Sequence, residues 1–315
     1  MKKITVIGAG NVGATTAKNI AAKDIAEEIV LLDVKEGLAE GKALDIKESS
    51  SIEDFDSDVI GYTDDYSKTA DSDITVITSG ITRKPGMSRD DLIYTNATII
   101  KEVTRKIMQY SSNTMIIVVS NPLDVMTYIA FRTSGLPSNR VFGMAGVLDA
   151  ARLKTFVADE LDVSPNDVQT LLLGGHGDAM VPLPRYTTVS GIPITELIPG
   201  DKLNAIVERT RNGGGEILNL MGTSAFVAPA AAITQMVDSI AHDRKTIMPV
   251  CTLLKGQYGM KNIFIGVPVV IGKNGVEKVI EIDLNEMEKQ MFEKSADNVR
   301  AIMEMVNKVQ ETTVE

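Results

Sequence analysis

The sequence predicts an α/β protein: a doubly wound parallel sheet followed by a mixed α+β unit. Three observations predict it. In the first half, continuous apolar runs rich in β-branched residues alternate with helical patterns, as strands buried on both faces do. In the second half, short turn-broken strands, a hairpin signal and long helices replace that alternation. The length, 315 residues, accommodates about two domains at ~150 residues each. The change of pattern divides the chain into 1–143 and 144–315.

Taken in order, residues 3–8 read as a buried strand and 11–23 as a helix. Residues 28–33 (EIVLLD) are a second strand, and 37–48 a helix. Residues 58–62 are a weaker strand and 73–78 (DITVIT) a strong one. A long amphipathic helix covers 90–110, an apolar strand 114–120 (TMIIVVS), a helix 123–133 and a short sixth strand 141–144. Beyond it, a helix over 147–161 leads to a strand over 168–173, and turn-broken strands follow around 187–197. Helices are expected over 202–221 and 225–242, and strands over 247–254, 262–271 and 279–282. Lys273-Asn274-Gly275 marks a hairpin, because Asn-Gly favours the positive φ angles such turns require. Residues 284–310 close the chain as a helix. With no repeat, low-complexity tract or long linker, the two units should pack tightly, and a cleft between them is the expected site.

Composition narrows the partners. Hydrophobic residues are 44% and charged residues 23%, enough apolar material for a large core, which excludes a disordered or fibrous chain. The net charge of −10 repels phosphate backbones and anionic lipids, so neither nucleic acid nor a membrane surface is expected. Any anionic ligand must be held by a few local Arg or Lys residues. The one cysteine, Cys251, makes no internal disulfide and no Cys-rich zinc site, and fits a reducing compartment. No metal is expected. Met1–Ile7 is basic then apolar but meets glycines at once, without the apolar core and cleavage site of a signal peptide, and no run of ~20 apolar residues exists. A cytoplasmic protein is expected. Two histidines, His176 and His242, limit any His-based chemistry.

Gly8-Ala9-Gly10-Asn11-Val12-Gly13 is a G-x-G-x-x-G string, weak evidence in isolation. Here it follows a strand and opens a helix, and Asp33 ends the next strand 20 residues after Gly13, the context of a Rossmann-type dinucleotide fingerprint. Gly8 permits the tight turn, Gly10 lets backbone approach a pyrophosphate, and Gly13 allows close helix–strand packing. The helix N-terminus offers free N–H groups and partial positive charge. Asp33 accepts from a ribose diol and would repel a 2′-phosphate; no Arg follows it, which favours NAD over NADP. A methyltransferase could share this half of the pattern.

Other residues carry the chemistry. The loop Arg83-Lys84-Pro85-Gly86-Met87-Ser88-Arg89 leads into a helix that Ser88 and Asp91 cap as a capping-box variant, leaving Arg89 in the first turn, a poor place for a cation. An anionic partner or a solvated loop would each account for it. Asn121, before Pro122, is held extended at the carboxyl end of a strand, either as a ligand contact or as an Asx turn. Asp149 and Arg152 share a helix face, as an active pair or an ordinary ion pair. His176 lies in Gly174-Gly175-His176-Gly177-Asp178 at a strand end, where the glycines remove shielding side chains and a near-neutral pKa suits proton transfer. His242, late in a helix, reads as a favourable cation at the dipole's end, and Cys251 as inert core. Gly213-Gly214-Gly215 interrupts a helix at ~1 kcal/mol per glycine relative to alanine. Close packing or a bend would explain it.

Together these residues resemble the lactate/malate dehydrogenase family, over essentially the whole chain and in family order. Within it, the chain resembles the bacterial malate dehydrogenases that lie closer to lactate dehydrogenases than to the mitochondrial malate enzymes. The GAGNVG loop and Asp33 match the family's NAD site, Arg83–Arg89 its mobile lid, Ser120-Asn121-Pro122 its nicotinamide-side strand end, LDAAR at 148–152 its relay-and-anchor helix, and GGHGD its catalytic histidine segment. The resemblance implies His176 as proton acceptor and donor, Asp149 as its orienting partner, Arg152 on the substrate carboxylate, Arg89 polarising the carbonyl, and Asn121 and Ser224 lining the substrate pocket. It also implies cofactor contacts from Gly80, Asn96, Val119, Ser120 and Asn121. Lactate dehydrogenases typically carry a neutral Gln where this chain has Arg83. An Arg there implies a dicarboxylate substrate, malate or oxaloacetate, and a place in the tricarboxylic acid cycle. Lactate or another 2-hydroxy acid is the nearest alternative, and a non-catalytic NAD sensor an alternative of another class. The family's members are homodimers or homotetramers. The glycine loop starts at residue 8, without the extended N-terminal arm of many lactate dehydrogenases.

Overall fold

A computed structural model describes residues 1–82 and 86–312, with side chains through 307 in the last helix. The first half runs β1 (Lys3–Ile7), α1 (Asn11–Ala21), β2 (Glu28–Asp33), α2 (Leu38–Glu48), α3 (Ser50–Glu53), β3 (Asp58–Thr63), β4 (Ile74–Ile77), α4 (Arg89–Tyr110), β5 (Met115–Val118), α5 (Leu123–Ser134) and β6 (Val141–Gly143). The second half runs α6 (Gly146–Leu161), β7 (Val168–Gln169), β8 (Leu172–Gly174), β9 (Met180–Pro182), β10 (Thr188–Val189), β11 (Ile192–Pro193), α7 (Ile194–Leu197), α8 (Gly200–Met221), α9 (Val227–Ala241), β12 (Thr246–Lys255), β13 (Lys261–Gly272), β14 (Gly275–Val279) and α10 (Glu286–Thr312).

The first six strands pair in parallel in the order β3-β2-β1-β4-β5-β6. Chain order reverses between β1 and β4, and ligands of open α/β sheets bind at the carboxyl ends beside such a reversal. The strands follow from their apolar runs: β4 and β5 are buried at every position. The sheet does not stop at the boundary. β12 pairs antiparallel with β6 through Cys251 and Gly143, and β13, β8 and β9 extend the same sheet. One apolar cluster joins Ile4, Leu31, Ile77 and Ile117 of the parallel half to Val250, Ile265 and Phe292 of the other.

Three expectations fail locally. The strand expected over 168–173 is two strands in two sheets. β7 joins β10 and β11 in a small sheet, while β8 joins the large one. The change of sheet falls at Thr170, whose buried hydroxyl meets that of Thr187 at 2.7 Å. The 273–275 hairpin forms, but positive φ is confined to Gly275 (φ 84°) and is absent at Lys273 and Asn274. With the register shift at Val270/Ile271, this is a two-residue turn closed by a glycine rather than a turn with two left-handed residues. The strand expected over 279–282 lies instead at Gly275–Val279, starting straight after the turn and sharing only Val279 with the expectation; it stops there because Ile280 N–H donates to Pro268 O and Pro268 has no N–H to return. Strand β9 and the short α3 had no clear sequence signal.

Candidate active site

At the end of β1 the chain turns sharply at Gly8 (φ 102°) into α1, whose N-cap, Gly10, brings no side chain to the exposed N–H groups. A Cβ at Gly13 would lie 1.8 Å from Gly8 O, so glycine is required there for the helix to seat on the strand. A Cβ at Gly10 would meet nothing within 4 Å, leaving open space beside the helix N-terminus, where a pyrophosphate can approach. Asp33 ends β2 with Oδ2 accepting Ala9 N–H (2.6 Å) and Oδ1 accepting Lys35 N–H (2.9 Å). The acidic residue is thus tied to the glycine loop. Asn11 is exposed and Val12 half-buried on the first turn of α1. This donor set fits a dinucleotide with a free ribose diol.

The next two strand ends are cross-braced. Ser120 Oγ donates to Ser79 O beside Gly80, and Val119 N–H to Ile77 O. Asn96, 2% exposed on α4, accepts Ile81 N–H at Oδ1 (2.9 Å) and donates from Nδ2 to Ile81 O (3.2 Å) and Asn121 O (2.8 Å). Both its amide hydrogens are used within the chain, so it braces Asn121 and the start of the loop from behind. The Asn121–Pro122 bond is cis. The expected capping box is present: Ser88 Oγ accepts Asp91 N–H (3.0 Å) and Ser88 N–H donates to Asp91 Oδ2 (3.1 Å). Arg89 is the first residue of α4, exposed, without a salt bridge among the described residues. Arg83 lies outside the described residues.

The second half supplies a hydrogen-bonded cluster of a histidine, an aspartate and an arginine. Asp149, 2% exposed near the start of α6, takes His176 Nδ1 on Oδ2 (2.9 Å) and Arg152 Nη1 on Oδ1 (3.1 Å). Burial pushes the imidazole's pKa down, but the Asp149 charge and hydrogen bond, helped by Asp124, outweigh it and leave the pKa raised. The expected Asp149–Arg152 ion pair and the histidine expected to work with Asp149 are therefore one cluster. Arg152 Nε is buried and has no hydrogen-bond partner among the described residues, an orphaned donor on a half-committed guanidinium. The triple glycine also has a use. Cβ atoms at Gly213 and Gly214 would lie 3.1 Å and 3.5 Å from Arg152 side-chain atoms, while one at Gly215 would meet nothing within 4 Å. α8 thus closes on Arg152 with a bare backbone face.

The glycines around His176 do not leave it bare, as expected from sequence. Its side chain is 17% exposed, and a Cβ at Gly174 or Gly175 would crowd Ser295 or Val299 of α10. Two residues that sequence reasoning missed hold this segment. Asp124, 6% exposed on the first turn of α5, accepts His176 N–H on Oδ2 (2.9 Å), and Ser295 Oγ accepts Gly175 N–H (2.9 Å) and donates to Ala179 O (2.6 Å). Burial pushes the Asp124 carboxyl above the usual carboxylate range, opposed by the His176 N–H that it accepts and by the nearby Cys251 thiol. Cys251 is therefore buried core but not inert to the site: burial and Asp124 push its thiol's pKa well up. A lone acid among apolar neighbours, Leu123-Asp124-Val125-Met126, was the available signal for Asp124; Ser295 had none. Ser224 is exposed in the loop between α8 and α9 and takes no part in the hydrogen bonds that join Asp149, His176, Arg152 and Asp124. His242, the C-cap of α9, bonds Asp238 Oδ1 (3.0 Å), as a helix-end histidine should. Among the described residues, no group of three or more His, Cys, Asp or Glu could hold a metal ion.

Comparisons with known proteins agree with this geometry. Residues 2–143 match the family model "lactate/malate dehydrogenase, NAD binding domain", and residues 146–310 match "lactate/malate dehydrogenase, alpha/beta C-terminal domain". The chain is 60% identical over 305 residues to a malate dehydrogenase of Cytophaga hutchinsonii, covering 97% of this chain and 98% of that one. It superposes on the structure of malate dehydrogenase from Salinibacter ruber with a TM-score of 0.95 at 51% identity, over 99% of both chains. A lactate dehydrogenase of Cryptosporidium parvum, solved with lactic acid and nicotinamide adenine dinucleotide, superposes at 0.93 with 38% identity over 97% of this chain and 98% of that one. The scaffold is thus common to both substrate types, and the chain, with an NAD-binding half and Asp149 hydrogen-bonded to both His176 and Arg152, belongs to the lactate/malate dehydrogenase family.

Proposed function

We propose that the chain is an NAD-dependent malate dehydrogenase interconverting (S)-malate and oxaloacetate. The observation that carries the chemistry is Asp149 bridging His176 Nδ1 and Arg152 Nη1, with Arg152 Nε left unpartnered. Asp149 fixes the imidazole so that Nε2 faces away from it, free to take the hydroxyl proton of malate and return it to oxaloacetate. Arg152, with its unused donor, forks one substrate carboxylate. Arg89 polarises the reacting carbonyl, which accounts for a cation at a helix N-terminus. Asn121 and Ser224 line the pocket. When bound, NAD accepts or returns hydride at its nicotinamide. Gly8, Ala9, Gly10, Asn11, Val12 and Gly13 receive its pyrophosphate and Asp33 a ribose diol. Gly80, Val119, Ser120 and Asn121 shape the nicotinamide side, and Asn96 contributes by bracing Asn121 and Ile81.

Specificity rests on Arg83. Closing an unpaired guanidinium over a lactate-sized methyl group would bury an uncompensated charge, a loss of several kcal/mol, whereas a dicarboxylate supplies its partner. In this reading residues 1–143 bind NAD and 144–315 the substrate, the enzyme works in the cytoplasm, and it assembles as a homodimer or homotetramer. No helix among the described residues is long and apolar enough to cross a membrane. The test follows NADH oxidation at 340 nm with oxaloacetate and pyruvate side by side. A strong preference for oxaloacetate is expected. Preference for pyruvate would overturn the Arg83 argument and leave the relay standing; no turnover with either, despite NADH binding, would favour another 2-keto acid or the sensor.

A further inference from the structure

Away from the relay, a cavity of about 240 Å³ opens among α4, α5 and α10. Its lining includes three cations, Lys101, Arg105 and Arg132, with Tyr128 and Asn307. Among the described residues, none of the three cations makes a salt bridge, although the chain carries 42 acidic residues against 32 basic ones. The neighbouring acid on α4, Glu102, is committed to Lys106 (3.3 Å), which also takes Asp64 (3.2 Å). Lys101 and Arg105 stand four residues apart on one helix face, where like charges repel. Arg132 is held in place: its Nη1 donates to the Tyr128 hydroxyl (3.2 Å), and that hydroxyl donates to Asn307 Oδ1 (3.0 Å). A lysine and two arginines from two helices line one cavity, one guanidinium fixed by a tyrosine that a third helix fixes in turn, and together they offer several charged donors to one multiply charged ligand.

We propose that Lys101, Arg105 and Arg132 form a second anion site, for a small multivalent oxyanion of the phosphate or polycarboxylate class. Its volume lies below the ~300–1,000 Å³ of drug-sized pockets, which suits an inorganic or short-chain anion rather than a nucleotide. The three helices that wall it also carry the catalytic frame. α4 begins at Arg89, about 20 Å away at ~1.5 Å per residue. α5 begins beside Asp124, which holds His176 N–H, and α10 carries Ser295, which holds Gly175 N–H. An anion that draws these helices together acts on the far ends that position Arg89 and His176, and such coupling is reciprocal.

The test is calorimetric titration of the NADH-saturated protein with pyrophosphate, propane-1,2,3-tricarboxylate and chloride at constant ionic strength. The two multivalent anions separate phosphate from polycarboxylate preference; chloride is the monovalent control. Saturable binding of at least one multivalent anion is expected. It should survive Arg152→Gln, which disables the substrate anchor, and weaken at least tenfold in Arg105→Gln/Arg132→Gln. Lys101→Gln gives a second, single-site reading if the double variant fails to fold. Binding unchanged in these variants, lost with Arg152→Gln, or absent up to 10 mM on the order of weak phosphate contacts would overturn the site. KM for oxaloacetate at saturating NADH should shift with the anion in the wild type and not in the double variant. An equal response in both would overturn the coupling.

Discussion

His176 is one side chain between two carboxylates, and its titration tests the relay. Its pKa is raised above the ordinary histidine value by Asp149 and Asp124 against the cost of burial. Oxaloacetate reduction needs the imidazolium, so its kcat/KM should hold to a pH above ~6.5 before falling, and malate oxidation should rise over the same interval. The sign for stability follows. A histidine whose folded pKa is raised contributes stability fully below the unfolded value near 6.5, and loses it as pH rises through the folded one. Asp149→Asn should move the reduction limb to lower pH and cut turnover; a pH profile identical to wild type would remove Asp149 from the relay. His176→Asn should lower turnover by orders of magnitude while NADH binding, read by fluorescence titration, survives. Asp124 gives a finer test. Asp124→Asn keeps an acceptor for His176 N–H but removes a charge that raises the imidazole pKa, so the limb shifts down with little loss of stability. Asp124→Ala strands a buried N–H at a cost of about 1–3 kcal/mol. Equal stability of the two variants, measured by urea unfolding, would deny the hydrogen bond that role.

At the scale of elements, the triple glycine of α8 separates a packing requirement from helix propensity. A Cβ at Gly213 would lie 3.1 Å from the Arg152 side chain, while Gly215 faces open space and is exposed. Gly213→Ala should displace the guanidinium and raise KM for oxaloacetate several-fold with NADH affinity intact. Gly215→Ala should instead stabilise the protein by about 0.5–1 kcal/mol, the helix preference for alanine, with unchanged kinetics. Reversed effects would mean that the bare face serves a bend. The same helix shows what sequence can carry. Its existence and span follow from periodicity, but the partner of its glycines is on α6, some sixty residues earlier, and no local pattern points there. The parallel strands were legible because burial on both faces makes them continuous apolar runs. The 168–173 strand was misread because one apolar run feeds two sheets, and a change of sheet at Thr170 leaves no mark in periodicity. The 279–282 strand was misread because its end is set by a proline across the ladder. Candidate site residues stand out in the sequence where chemistry restricts residue type, as at Gly13, Asp33 and His176. Asp124 and Ser295 act through the backbone of others, and a serine or an apolar-flanked acid has many structural uses.

For the whole molecule, surface and charge act on association in opposite directions. The exposed apolar side chains are unevenly placed. Leu218, Leu220, Met221 and Val227 cluster in sequence at the α8–α9 junction, with Leu220 79% and Val227 64% exposed, and Leu44 and Ile52 stand out on α2 and α3. Isolated exposed leucines are ordinary, but a run of them at one junction is surface that a partner copy would cover. Charge acts against this association, because each 34.0 kDa chain carries −10. Like-charged subunits repel over roughly 10 Å at 0.1 M salt and over about 3 Å at 1 M. If apolar burial drives assembly, added salt should strengthen it, whereas an interface built on ion pairs would weaken. Sedimentation velocity at micromolar concentration is expected to give a mass of two or four times 34.0 kDa, rising or holding as salt increases. Leu220→Asp should lower that mass by adding a charge to the junction without touching the core. A single species of 34.0 kDa at every salt concentration would mean that the exposed leucines serve no copy of this chain, and that both halves of the site work within one subunit.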